Sequence, residues 1–417
     1  MMNIPNHYGY GLRNDEKPYA HKIPDGGNWR DLPEEEQKAF MRGAFYSGGG
    51  QTTYLRKMSW DEPALTITAS VMAKATCHLH PNESIERSEY MGDFNLTPQL
   101  PANGLTVLEL FCGGGLGAIG FKAAGYHIVK ALDFDKNAVK AYRHNFGDYV
   151  EQADINEIDI DDLPNTDVIF GGPPCQDFSV AGKGAGADGE RGKLVWRYLE
   201  IIKHKQPKAF VFENVKGLIT KRHRPTFDAL IEKFNEIGYE ISWQVINAWD
   251  YGVAQKRERV FIVGVRNDLG FTFEFPKPLE GDYQTQVLRD VIGDLPEPCP
   301  NHTPEDRLPK YVQNVIDGKS KTNFGKMPIN DGSTVARTVL ASYAAKKPNE
   351  ITNIDGLIRR FTVRECLRIQ SAPDTYVLPD DISLTAQYRI VGNGIASRVA
   401  WYIGRALADQ IRLNSKA

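Results

Sequence analysis

The stretch that most constrains the fold runs from Val168 to Gly182 and reads Val-Ile-Phe-Gly-Gly-Pro-Pro-Cys-Gln-Asp-Phe-Ser-Val-Ala-Gly. Val168 to Phe170 is a short β-branched and aromatic run with the character of a buried strand. It stops at two glycines and two prolines, which can neither continue a strand nor start a helix before Cys175. The chain therefore delivers a thiol at a strand tip, and in an open α/β sheet ligands bind at the carboxyl ends of the strands. A free cysteine is more often a small buried hydrophobe than a nucleophile, so its role depends on what else the chain brings to that end of the sheet.

The neighbouring segments supply chemistry of their own. Asn103 to Asp135 reads as a βαβ opening: a strand Leu105 to Leu110, the turn Phe111-Cys112-Gly113-Gly114-Gly115-Leu116-Gly117, a helix Ala118 to Ala124 ended by Gly125, and a strand Ile128 to Leu132 ending in Asp133. Glycines let a turn's backbone approach a ligand, and a carboxylate after the second strand is placed to accept ribose hydrogen bonds. A glycine-rich turn alone also fits an NAD enzyme or a tight turn. Ala181 to Lys193 carries five glycines among charged residues and reads as a mobile lid after Cys175. Leu194 to Lys205 reads as a helix, Lys208 to Phe212 as a buried strand ending in Glu213-Asn214-Val215, and Ile241 to Ile246 with Val260 to Val265 as an antiparallel pair around Gln255-Lys256-Arg257-Glu258-Arg259.

These blocks, in this order, resemble the C5-cytosine DNA methyltransferases over most of Leu105 to Leu407. Pro174-Cys175-Gln176 matches that family's catalytic motif, with Phe178-Ser179 and Gly182-Lys183 after it; Glu213-Asn214-Val215 matches its Glu-Asn-Val block and Gln255, Arg257 and Arg259 its Gln-x-Arg-x-Arg block. The resemblance implies a catalytic set of Cys175, Glu213, Gln255, Arg257 and Arg259, with Cys175 adding to C6 of a flipped cytosine and Glu213 assisting at N3. Arg259 is then expected at the cytosine O2, and Arg257 at a phosphate or in the active-site carboxylate network. For the cofactor S-adenosylmethionine it implies Phe111, Gly113, Gly115, Leu116 and Pro174, with Asp133 on the ribose, Phe134 flanking the adenine, Asp154 and Ile155 on its edge, and Asn393 and Ile395 closing the pocket. Core packing is the competing account of Phe111 and Phe134. The implied DNA contacts are Gln176, Ser179, Lys183, Arg191 and Lys256. Phe361 to Gln370 reads as a helix resembling the block that supports the recognition domain, where Arg364 can be buried without touching DNA, and Gln387 to Ile395 leads into a helix Ala396 to Leu413, a lone Gly-Asn-Gly being otherwise only a turn.

The expected fold is a doubly wound, Rossmann-like α/β methyltransferase sheet with a second, smaller, irregular target recognition domain: residues 101–266 catalytic, 267–386 recognition, and 387–417 a return completing the catalytic domain. Residues 1–100 form an accessory region containing Gly26-Gly27-Asn28-Trp29-Arg30-Asp31-Leu32-Pro33 and Ser59 to Thr68, text the family normally carries after its catalytic blocks, with a weaker echo at Ser333 to Val339. Charge does not advertise a nucleic-acid binder: 50 basic residues face 53 acidic ones, a net charge of -3, so any DNA surface is local. The candidates are Lys216 to Arg224, Lys256 to Arg259, and Arg359, Arg360, Arg364 and Arg368. Five scattered cysteines without a C-x-x-C pair point to neither disulfides nor a metal site. No apolar stretch is long enough to cross a bilayer and the first fifty residues lack a signal peptide's apolar segment, so the expected setting is the cytoplasm, with no membrane partner. The expected partner is double-stranded DNA read at a specific sequence, by a monomer, alongside a cognate restriction or phage-defence system. A tRNA cytosine methyltransferase, a noncatalytic DNA-binding regulator of this fold and an NAD enzyme are the alternatives. Substrate preference, the intact catalytic set and cofactor binding distinguish them.

Overall fold

The computed structural model describes residues 19, 22–24, 27–41, 56–57, 78–79, 94–174, 192–295, 329–343, 350–354 and 359–414. They fall into two compact units, Met1–Asp93 and Phe94–Ala417. In the first, the Asn28 side chain accepts from the Arg30 amide while Asp31 accepts from the Asn28 amide, which satisfies donors at the start of the turn Trp29–Asp31. Trp29 is buried, with the Arg30 guanidinium over its ring. Helix α1, Glu34–Met41, follows, and Phe40 meets Tyr19 edge-on. Strands β1, Arg56–Lys57, and β2, His78–Leu79, pair in parallel.

The second unit contains strands β3 Thr106–Leu110, β4 His127–Asp133, β5 Val150–Gln152, β6 Val168–Gly171, β7 Ala209–Val215, β8 Tyr239–Asn247, β9 Gln255–Lys256, β10 Glu258–Arg266, β11 Ile329–Asn330, β12 Ala336–Arg337 and β13 Ile351–Thr352. Its helices are α2 Leu116–Ala123, α3 Lys136–Phe146, α4 Gly192–Lys205, α5 Arg224–Glu236, α6 Leu288–Ile292, α7 Val363–Ile369, α8 Leu384–Asn393 and α9 Ser397–Asn414. Seven strands form one sheet in the order β5-β4-β3-β6-β7-β10-β8. β5 through β7 are parallel in that order, whereas β10 runs antiparallel to both β7 and β8. The strand order reverses direction between β3 and β6, which opens a crevice at their carboxyl ends. There the chain places the glycine-rich turn after β3 and the Gly-Pro-Pro segment after β6.

The central strands are buried on both faces, as their continuous apolar runs require. Helix α3 starts at Asp135, whose side chain accepts from the amides of Asn137 and Ala138, and ends at Gly147. Gly120 lets α2 and α9 touch backbone to backbone: a Cβ there would stand 2.4 Å from the Ser397 carbonyl oxygen.

Among the described residues, Leu288, Val291, Val339, Phe361 and Leu367 share a core with Leu116 and Ile119 of α2 and Ala138 and Ala141 of α3. Phe94 to Leu100 belong with the second unit: the Asp374 amide donates to the Phe94 carbonyl and the Leu100 amide to that of Ala123. The segment Gln387 to Asn393, read as leading into the last helix, is itself helical and forms the body of α8, where the glycine at 392 packs against the backbone of Leu340 and Ala341. No helix among the described residues is long and apolar enough to cross a membrane.

Candidate active site

The glycine-rich turn closes on itself through Asp133. Its Oδ2 accepts from the Gly113 amide at 2.8 Å and its Oδ1 from that of Asp135 at 2.8 Å. Burial raises the Asp133 pKa, opposed by these amides. Gly115 sits at φ 89°, where a Cβ would meet the rings of Phe146 and Tyr142, so the tight entry into α2 requires glycine. Tyr376 donates to the Gly114 carbonyl at 2.7 Å, and Leu116 packs under Gly394. The return segment around Asn393 and Ile395 thus meets the turn, with Asn393 exposed.

Phe134 is 72% exposed, which excludes core packing for it, while Phe111 is half-buried at a positive φ of 56°. The Ala153 amide donates to the Asp133 carbonyl, bringing Asp154 beside the turn. Asp154 accepts from the amide and side chain of Asn156. Ile155 is committed to the core, and Arg197 takes its carbonyl. The fit to an adenosyl cofactor is good: a glycine turn, a carboxylate at the second strand and a bare aromatic face converge on one crevice.

At the next strand tips, Gly172 allows β6 to leave the sheet against Glu213, whose Oε2 would lie 3.0 Å from a Cβ at that glycine. Asn214 donates to the Pro173 carbonyl at 3.2 Å, fixing the root of the segment that leads through exposed Pro174 to Cys175. Cys175, Gln176, Ser179, Lys183 and Arg191 lie outside the described residues, as does most of the segment read as a lid. Glu213 lies within β7, not beyond it, and pairs with the Arg259 Nε at 3.0 Å. Burial raises its pKa and outweighs the lowering by Arg259 and Arg257.

The Gln-x-Arg-x-Arg block divides. Arg259 faces Glu213. Arg257 is buried and donates to the carbonyls of Val339 at 3.1 Å and of Gly392 and Gly394 at 2.9 Å, while its charge acts on Glu213. Gln255 is equally interior, donating to the Gln370 side chain and accepting from the Val339 amide. Lys256 points outward over the Trp249 ring at 4.7 Å.

Two features escaped the sequence. Strand β12, in the echo Ser333 to Val339, pairs with β9, and Thr338 donates to the Lys256 carbonyl. Thr338 thereby joins Lys216, Asn247, Lys256, Glu258 and Arg259 around an open cleft of about 330 Å³. The repetition of recognition text was the available signal. The second is Glu109, a lone acid in an apolar strand. Three arginines of the cluster at Arg359 to Arg368 are buried in the protein's own network: Arg359 pairs bidentately with Glu365, and Arg368 with Asp374 and Asp294, while Arg364 is buried against the Tyr376 carbonyl.

Comparison with known proteins agrees with this geometry. The family profile described as C-5 cytosine-specific DNA methylase matches residues 105–409. The Type II methyltransferase M.FnuDI of Fusobacterium nucleatum is 36% identical over 329 residues, which cover 74% of this chain and 95% of that protein. M.MthTI of Methanothermobacter thermautotrophicus is 35% identical over 327 residues, covering 74% and 98%. Among solved structures, the Dnmt2 methyltransferase of S. pombe superposes with a TM-score of 0.58 at 18% identity over 74% of this chain and 99% of its own, a likeness of fold. The chain belongs to the C-5 cytosine-specific DNA methylases and is a methyltransferase.

Proposed function

We propose that the chain transfers a methyl group from S-adenosylmethionine to C5 of a cytosine turned out of duplex DNA, with Cys175 as the nucleophile at C6. The observation that carries this reading is the buried Glu213–Arg259 pair at the tip of β7, beside the Pro173-Pro174 segment that leads to Cys175. C5 of cytosine is a poor nucleophile until a thiolate adds to C6, and the electron pair released toward C5 is accommodated when N3 is protonated or strongly hydrogen-bonded. Glu213, with its raised pKa, holds that proton. Arg259 offers a charged donor for O2. Loss of the C5 proton after transfer then expels Cys175 from C6. Burial pushes the thiols of Cys112 and Cys366 up, so both are poor sources of thiolate, which supports Cys175.

S-adenosylmethionine, when bound, supplies an electrophilic methyl group on a sulfonium. Asp133 would hold its ribose and Phe134 its adenine, and the turn Phe111 to Leu116 would line the rest of the site. Asp133→Ala is expected to weaken cofactor binding by roughly 1.5 to 3 kcal/mol, the range for a lost charged hydrogen bond, and to leave DNA affinity nearly unchanged; calorimetry with each ligand checks both. Unaltered cofactor affinity would remove Asp133 from the site.

Duplex DNA is favoured as substrate because the relatives are named Type II methyltransferases, which also places the chain with restriction and modification. The cleft of Lys216, Lys256 and Arg259 supplies the local basic surface that a net charge of -3 requires. Unpairing the cytosine costs a few kcal/mol, offset by contacts in the pocket. The test is covalent trapping: duplex DNA with 5-fluorocytosine at the target forms a complex stable to denaturing gels, because fluorine does not leave as a proton does. Cys175→Ser abolishes it. Trapping that survives the substitution places the nucleophile elsewhere, and trapping by tRNA but not duplex DNA overturns the substrate.

A further inference from the structure

We propose that Glu109 lets the cofactor site tell the cationic methyl donor from its product, by giving up a proton when a positive ligand occupies the turn above it. This rests on the cofactor reading given above. Glu109 lies near the carboxyl end of β3, the strand that feeds the glycine-rich turn. It sits against the first turn of α2, where a Cβ on Gly117 would stand 3.6 Å from its Oε1. The residue is 2% exposed, and its side-chain hydrogen bond among the described residues is from the Tyr142 hydroxyl to Oε2 at 2.8 Å.

The ionisable groups that face it are Tyr142 of α3, Asp133 of β4, the Cys112 thiol and Tyr149. All are acids, and among the described residues no Lys, Arg or His pairs with it. A buried carboxylate in such company is costly. Burial first, then the Asp133 charge, push its pKa up to about 8 against the Tyr142 bond, so Glu109 is a neutral acid in the free protein at neutral pH. The dipole of α2 favours a negative charge at its amino end and keeps the ionised form within reach.

The donor's sulfur is a sulfonium; after methyl transfer it is a neutral thioether. A fixed positive charge in this low-dielectric crevice stabilises the Glu109 anion, and its proton passes to solvent. Because the bound pKa is then lower than the free one, donor affinity rises as pH rises toward the free pKa and levels off above it. When transfer removes the charge, Glu109 recovers its proton and the product loses that stabilisation. Each unit by which the ligand lowers the Glu109 pKa corresponds to about tenfold in affinity across that window.

Calorimetric titration of the full chain with S-adenosylmethionine and with S-adenosylhomocysteine, from about pH 6 to about pH 9 in buffers of differing ionisation enthalpy, tests this in the wild type and in Glu109→Gln. Referring each curve to the variant cancels the titration of the ligand's own amino group. The expected result is a donor affinity that gains about tenfold over the range relative to Glu109→Gln, with a matching proton release that the variant lacks, and product curves that run parallel in the two proteins. Tyr142→Phe removes the bond that lowers the Glu109 pKa, so it moves the rise to higher pH, and it serves if Glu109→Gln does not fold. Parallel donor curves in wild type and variants overturn the proposal and leave the cofactor reading standing. Failure of the wild type to bind either ligand overturns both.

Discussion

Glu213→Gln is expected to lower the rate of methyl transfer by roughly two to four orders of magnitude, the usual contribution of a positioned general acid. Glutamine keeps an oxygen for the Arg259 Nε, so the pair's geometry survives while the exchangeable proton is lost. Methyl incorporation at saturating cofactor and DNA measures the effect, and an unchanged thermal transition shows that the fold is intact. A variant retaining more than a tenth of the wild-type rate would mean that N3 is served by another group.

The pH profile gives the sign. The Glu213 pKa is raised by burial above the ordinary carboxyl value, so its protonated form persists to higher pH than on a surface glutamate. The rate it supports is lost as pH rises through that raised pKa. A cysteine nucleophile works the opposite way, because its thiolate fraction grows with pH. The wild-type profile is therefore bell-shaped, and Glu213→Gln loses the alkaline limb while keeping the acid one.

What the sequence made legible were the strand tips. Val-Ile-Phe followed by Gly-Gly-Pro-Pro can only end a buried strand abruptly, and Gly115 before Leu116 can only start a tight helix, so local backbone chemistry placed both turns. Asp133 followed from the apolar run before it. The partners of long side chains were not legible, because they are set by segments far away in sequence. Arg257 reads as a ligand of a phosphate or of the active-site carboxylate network, and nothing beside it in the chain reveals that Val339 and Gly392, 82 and 135 residues away, take its hydrogens. The arginines at 359 and 368 read as candidates for a DNA surface because the pattern of charge does not reveal that Glu365 and Asp374 are buried with them. Glu109 escaped because one acid hardly weakens an apolar run, although its burial is what makes it chemically unusual. Proline- and glycine-rich text hides periodicity for a related reason, yet Leu288, Val291 and Phe361 find the core beside α2 and α3.

The two arginines of one block are expected to give opposite phenotypes. A helix leaves its last carbonyls without intrahelical partners, and at the end of α8 those of Val391 and Gly392 are met by the Gln370 side chain and by Arg257. Arg257 reaches two further carbonyls, Val339 and Gly394, with the planar fork that lysine lacks. It therefore ties the return segment and the β12 segment to the catalytic block. Arg257→Met leaves the carbonyls of Val339 and Gly392 unsatisfied, Gly394 keeping the Gln370 side chain as a donor, at about 1 to 3 kcal/mol each, so a stability loss on the order of 2 kcal/mol or more is expected, visible as a lower denaturant midpoint. Arg259→Met strands Glu213, besides the exposed Glu258 carbonyl, and Glu213 avoids an unpaired buried charge by taking up a proton, because losing the adjacent cation raises its pKa further. That variant is expected to stay close to wild-type stability and to lose methyl transfer by two orders of magnitude or more, roughly the cost of removing one donor from a developing negative charge. An Arg257→Met protein as stable as the wild type, or an Arg259→Met protein that fails to fold, would reverse this division of labour.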